Sequence, residues 1–253
     1  MEAGTLLFVS LIVLASFLTY RYRGYMWPAP LTREEEGILE KYFSFYQHLP
    51  PVSKGIFKKR VARFIWEKKF VPRNLSAVSN EMKVCISASA VQLTFGLPGI
   101  YLRHFRYILV YPDSYYSQIT RKYHKGEVNP RNQAIVISWR AYVEGYAIEN
   151  GLNLGLHEMA HALHLENTIR NEEFDFLPQD QLAQWDSYAQ AEMEKIQTGA
   201  QTFFRPYGAV DTFEFFAVAV ENFFERPAEF KAYHAGMYQA MCGILNQNPL
   251  LLM

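Results

Sequence analysis

The pentapeptide His157-Glu158-Met159-Ala160-His161 constrains this chain more than any other stretch, because it sets two imidazoles four residues apart with a carboxylate between them. Leu154, Leu156, Ala160, Leu163 and Leu165 give the surrounding run the apolar spacing of a buried helix, and Asn150-Gly151 ahead of it reads as a start signal. Side chains four apart on a helix share a face. His157 and His161 are therefore expected to offer two nitrogens to one metal ion, with Glu158 placed to take a proton as general base. Zinc-assisted hydrolysis is the chemistry that this arrangement implies.

A catalytic zinc requires a third protein ligand and an open position. His164 lies two turns from His157 on the same helix, too far to share an ion with it, and is expected to be buried or to support the ligands. His48, His104, His124 and His234 stand alone. Thr212 to Phe224 reads as a helix so apolar that it must be buried, yet it carries Glu214 and Glu221, seven residues apart and on nearly the same face. A carboxylate in such a helix is costly unless it is paired or holds a metal, so either can complete the site. The competing reading puts both at the rim, bonded to Arg205 or Arg226.

The 25 Lys and Arg balance the 25 Asp and Glu, which gives no basic excess for nucleic acid. Cys85 and Cys242 are outside any metal-binding or disulfide pattern and read as buried thiols. Residues 3–20 carry no charge and are mostly apolar, and Arg21 and Arg23 follow directly. The run predicts a transmembrane anchor over 1–25, spanning the membrane through 3–20 with the main body, 26–253, on the cytoplasmic side.

Beyond the anchor, Thr32 and Glu35 have capping-box spacing ahead of a helix. Ser53 to Phe70 predicts an amphipathic helix whose lysine face is either solvated or set against a membrane or an anion. Asn80 to Phe95 predicts a third helix, and Tyr101 to Tyr111 and Ala134 to Trp139 two strands. Ser114 to Arg131 between them is polar and reads as a loop, and the segment after Pro227 as a packing helix. Together these elements predict an α+β fold, mostly helical, with a small sheet walling the cleft.

The stretch from about Leu49 to Pro227 resembles the MtfA family of zinc-dependent peptidases and, more distantly, the catalytic domain of anthrax lethal factor. The residues that carry the resemblance are His157 to Leu163, the strand end Ile137-Ser138-Trp139, and Tyr207-Gly208 followed by Glu214-Phe215-Phe216-Ala217. It implies a zincin-like fold, a Zn2+ site of His157, His161 and Glu214, and Tyr207 as an aid to catalysis. It also implies a peptide or protein substrate, aminopeptidase-like activity, and, as an alternative to catalysis, capture of a glucose-responsive transcriptional repressor called Mlc. Family members usually have Asp where this chain has His164, and many lack the amino-terminal apolar run. With the anchor, the resemblance places the protein in a bacterial inner membrane, single-pass.

Overall fold

The computed structural model describes residues 8, 11–13, 28–117 and 121–251. Helix α1 (Arg33–Tyr42) opens with the expected capping box, in which the Thr32 hydroxyl accepts from the Glu35 backbone and the Glu35 carboxylate accepts from the Thr32 backbone. The chain kinks at Phe43 into a short α2 (Ser44–His48) and then enters α3 (Pro51–Glu67), where Pro51 occupies a first-turn position that needs no N–H.

The lysine face of α3 lies against α1 charges. Lys54 pairs with Glu40 and Lys58 with Glu36, while Arg60 is buried and donates to the carbonyls of Phe95, Leu97 and Ile100. The cations that the sequence offers to a membrane or an anion are largely satisfied within the fold.

Helix α4 (Asn80–Thr94) runs through the middle of the molecule with Ile86 to Leu93 all buried, and its Ser87-Ala88-Ser89-Ala90 stretch keeps it slim enough for neighbours on several sides. One sheet has the order β1-β2-β6-β5, made of Lys69–Pro72, Tyr107–Tyr111, Ala134–Ser138 and Gly126–Asn129. The first three strands are parallel, and β5 runs antiparallel to β6 at the edge. A separate hairpin pairs β3 (Tyr115–Ser117) with β4 (Lys122–His124).

Three expectations change here. The stretch read as a loop over Ser114 to Arg131 contains three strands, whose short, polar, edge character hides the alternation that marks an inner strand. The helix expected to run to Phe70 stops at Glu67, and Lys69–Pro72 pairs in register with β2. Finally, among the described residues no helix is long and apolar enough to cross a membrane. That finding overturns the single-pass inner-membrane placement. Of residues 3–20 only Phe8 and Leu11–Val13 are described, as helical, and a span needs about 20 residues in one helix. The remainder of the expected anchor lies outside the described residues.

Strand β6 passes directly into α5 (Trp139–Tyr146), with the Ser138 side chain capping the new helix. The helix with the two histidines, α6 (Leu154–Thr168), is capped by Asn153 rather than by Asn150-Gly151. It packs on α4 to one side and on α8 (Thr212–Glu225) to the other, with β5 and β6 alongside. The long α7 (Gln179–Gln197), α9 (Pro227–Tyr233) and α10 (Ala235–Leu245) close the far side of the core around Trp185, Phe230 and Tyr238. The architecture is α+β and mostly helical, as the sequence predicts.

Candidate metal centre and active site

Helix α6 presents His157 and His161 one turn apart, with their Nε2 atoms 3.1 Å from each other and their rings at 85°. Helix α8 brings Glu214 to the same point: its Oε2 lies 3.1 Å from Nε2 of His157 and 3.5 Å from Nε2 of His161. Asp211 caps the first turn of α8 by accepting from the Glu214 backbone, which fixes where the carboxylate starts. Among the described residues, His157, His161 and Glu214 form the one group of three whose donor atoms could hold a metal.

The tautomer of His157 is set by Glu221, two turns farther along α8. Its carboxylate, 1 % exposed, accepts from Nδ1 of His157 at 2.7 Å. With the proton on Nδ1, the neutral ring presents a lone pair at Nε2. While the ring is neutral, Nε2 and the buried Glu214 Oε2 face each other as two acceptors, and they are satisfied only by a proton or a metal ion between them. A cation between them removes the conflict. Tetrahedral zinc with bonds of about 2.0–2.1 Å separates its ligand atoms by roughly 3.3 Å, which is close to the spacings found.

Electrostatics point the same way. Burial alone would lower the pKa of His157, but the bonds to Glu214 and Glu221 more than reverse this and raise it to about 10. Glu214 is held well below the ordinary carboxylate range: burial opposes this, and the two imidazoles prevail. In the protein alone a proton thus sits where the donor set calls for positive charge.

Glu158 is buried beside the pair, and burial foremost pushes its carboxyl up to about 7. It is in contact with β5. A Cβ on Gly126 would collide with Glu158 Oε1, so the strand comes this close because residue 126 has no side chain. Tyr207, in the 3-10 turn Pro206–Ala209, is half exposed, with its ring centroid 6.2 Å from that of His157. Burial and the neighbouring Glu214 carboxylate push its hydroxyl up to about 12, so it stays a donor at neutral pH.

His157, Glu158, Tyr207 and Glu221 line a cleft of about 460 Å3, walled by Tyr123 to Gly126 on one side and by α5 and Leu152 to Leu154 on the other. His164 is outside the cluster. Its ring packs on Phe213 and Phe216, and burial lowers its pKa.

The rim reading of the α8 carboxylates holds for one residue pair only: Glu221 does pair with Arg205, through two bonds, but from a buried position, while Arg226 pairs with Glu229. The sequence reading left the part played by Glu221 open and gave none to Asn153, whose backbone N–H also donates to Glu221, or to Gly126. Gly126 had a visible signal, a lone glycine among polar and aromatic residues, but nothing in the sequence says that it lies against Glu158.

A helix offering two histidines, a second helix offering a glutamate to the same point, and a buried carboxylate beside them on the wall of an open cleft point to the class of metallopeptidases, on a fold of α+β build. Residues 19–245 match the family described as glucose-regulated metallo-peptidase M90, and the chain belongs to that family. Among its relatives, an uncharacterized protein of Synechocystis sp. is 26% identical over 238 residues, covering 88% of this chain and 86% of the relative. Mlc titration factor A of Escherichia fergusonii is 29% identical over 211 residues, 75% of this chain and 77% of its own. The protein of that name from Klebsiella pneumoniae is 28% identical over 225 residues, with 80% and 82% covered. The MtfA resemblance drawn from the motifs is borne out, and the family implies a metal.

Proposed function

We propose that residues 26–253 form a zincin-like zinc peptidase in which His157, His161 and Glu214 hold the metal, Glu158 is the general base and Tyr207 assists. The observation that carries this reading is the meeting of three ligand-type atoms at 3.1–3.5 Å, with Glu214 Oε2 buried between the two imidazoles. Two imidazoles and one carboxylate favour zinc among the common divalent ions. When bound, the ion supplies Lewis acidity at the floor of the cleft and makes water more acidic there.

The protein's own groups do the rest. Glu158, poised near neutrality, accepts the proton of the attacking water and returns it to the departing amine nitrogen. Tyr207 donates to the oxygen that gains charge as the carbonyl is attacked. Edge strand β5 supports binding of an extended peptide, since its free side offers main-chain groups beside Glu158.

A second reading, capture of a transcriptional regulator with little catalysis, is supported by the name Mlc titration factor A among the relatives. Glu158 favours the enzyme, because holding a metal needs ligands and no base.

The test is zinc content and hydrolysis, measured together on the full chain and on Glu158→Gln and His161→Ala. The panel is of fluorogenic peptides with free and blocked amino termini. Glu158→Gln is expected to keep its zinc and to lose at least about a hundredfold in kcat, and His161→Ala to lose the metal. Retained hydrolysis in Glu158→Gln sinks the base assignment. A zinc-loaded wild type that cleaves nothing moves the regulator reading ahead. The blocked termini decide whether the enzyme trims from the end.

A further inference from the structure

Lys68, the residue that joins α3 to β1, is 7 % exposed. Lysine is almost never this buried unless it is paired with an opposite charge. Here the ammonium donates to the Leu102 carbonyl at 2.6 Å and rests over the Phe64 ring, and among the described residues no carboxylate pairs with it. An ammonium has three N–H donors, so one acceptor leaves two to be satisfied. Burial foremost lowers its pKa to about 8; Glu67, Glu166 and Glu173 oppose this, and the Arg103 guanidinium adds to it. At neutral pH the amine still carries its charge, in surroundings that do not fully compensate for it.

Lys68 lines a cavity of about 570 Å3 that shares no lining residue with the cleft among the described residues. That volume is within the range of small-ligand sites. Five cations and two carboxylates line it. Both carboxylates are already paired, Glu67 with Arg63 and Glu172 with Arg103, which leaves Lys68, Lys69 and Arg106 as the surplus. The fold gathers these three from both ends of the segment 102–106. The Lys68 side chain holds the Leu102 carbonyl, and the Lys69 main-chain N–H donates to the Arg106 carbonyl at 2.8 Å as β1 pairs with β2. Three cations held together without a counter-charge repel one another, and an anion among them removes that cost.

We propose that this cavity is a binding site for a small phosphate monoester, whose dianionic oxygens take N–H groups of Lys68 and Arg106 while its organic part lies beside Lys69 and the partly exposed Tyr107 ring. This assignment is independent of hydrolysis in the cleft. A phosphate brings three acceptor oxygens and close to two charges. A single carboxylate brings fewer of both, and a neutral guest leaves the buried ammonium as it was.

The probe is phenyl phosphate, titrated calorimetrically into the full chain at constant ionic strength beside benzoate and phenol as its monoanionic and neutral counterparts. Saturable binding of the phosphate is expected, about tenfold or more weaker for benzoate and lost for phenol. Lys68→Met, whose unbranched side chain keeps the packing on Phe64, should weaken the phosphate by about tenfold or more, and the exposed Arg106→Gln by about threefold to tenfold. Lys59→Gln, which removes an exposed cation of α3 outside the cavity, should change nothing. Binding in His161→Ala should equal that of the wild type, which separates this cavity from a phosphate held at the metal centre. The proposal is overturned if phenyl phosphate does not saturate up to low millimolar concentration, or if benzoate binds as tightly. It is equally overturned if a folded Lys68→Met binds like the wild type, or if His161→Ala abolishes binding. Should circular dichroism show Lys68→Met unfolded, Arg106→Gln against Lys59→Gln decides, and equal effects of those two reject the site.

Discussion

Gly126 has the most leverage of any residue outside the metal cluster. A glycine in a strand normally weakens it, having no side chain to pack and more backbone freedom to lose. Here the missing Cβ is the space occupied by the Glu158 carboxylate. The tight fit excludes water from one side of that carboxylate and contributes to its raised pKa. Gly126→Ala should leave metal content unchanged and lower kcat by roughly tenfold to a hundredfold, because a proton acceptor displaced by about an ångström no longer meets its water. Metal analysis beside steady-state kinetics checks this, and an unchanged kcat would refute it.

The two helices that build the centre do different work. Helix α6 supplies both imidazoles from a single turn, so their relation is fixed by local geometry. Helix α8 supplies a carboxylate to each side of His157: Glu214 at Nε2 and Glu221 at Nδ1. Residues seven apart fall about 20° short of two full turns, so periodicity places Glu214 and Glu221 on one face and cannot say which reaches the ion. Their separation along the axis makes the choice, and that depends on how α8 crosses α6. The resemblance to known peptidases named Glu214 where the spacing alone did not.

Arg205 braces Glu221 from the far side, through Nη2 to Oε1 and Nη1 to Oε2. Glu221→Gln should therefore weaken zinc binding by about tenfold to a hundredfold while leaving the three ligands in place. Competition with a chromophoric chelator measures this. An affinity equal to the wild type would show that His157 needs no such partner.

The same contrast explains what was legible among the elements. Helices with long apolar faces announced themselves, α4, α6 and α8 above all. Strands β3, β4 and β5 did not, because at three or four residues each, with Lys122, His124 and Glu127 among them, they carry too few apolar positions to show a period. Two of those strands, β4 and β5, wall the cleft, so the sequence disclosed the side chains at its floor and concealed the wall beside them.

At the scale of the whole molecule, stability carries a mark of the buried charges. Burial pushes the Glu225 carboxyl from its ordinary 4.5 up to about 7, against the bonds from Asn153 and Gly151. The folded chain keeps this proton to higher pH than the unfolded chain does, so between about 4.5 and 7 the native state binds more protons. The contribution of Glu225 to stability therefore falls as pH rises through that window and is flat on either side. Denaturant unfolding of wild type and Glu225→Gln across this range should give a difference curve that moves in favour of the variant with rising pH. A flat difference would remove the shift.

The zinc site proposed here joins parts of the chain that are far apart in sequence, the histidine pair on α6 and Glu214 on α8. Unfolded chains do not hold those donors together, so an ion that fits them adds its binding free energy to the native state alone, about 2.7 kcal/mol at a hundredfold excess over its dissociation constant. Scarcity of metal would then lower catalytic output and also shorten the life of the chain, since the metal-free form opens more often to degradation. The supply of an inorganic nutrient would set the abundance of the protein as well as its activity, with no dedicated sensor required.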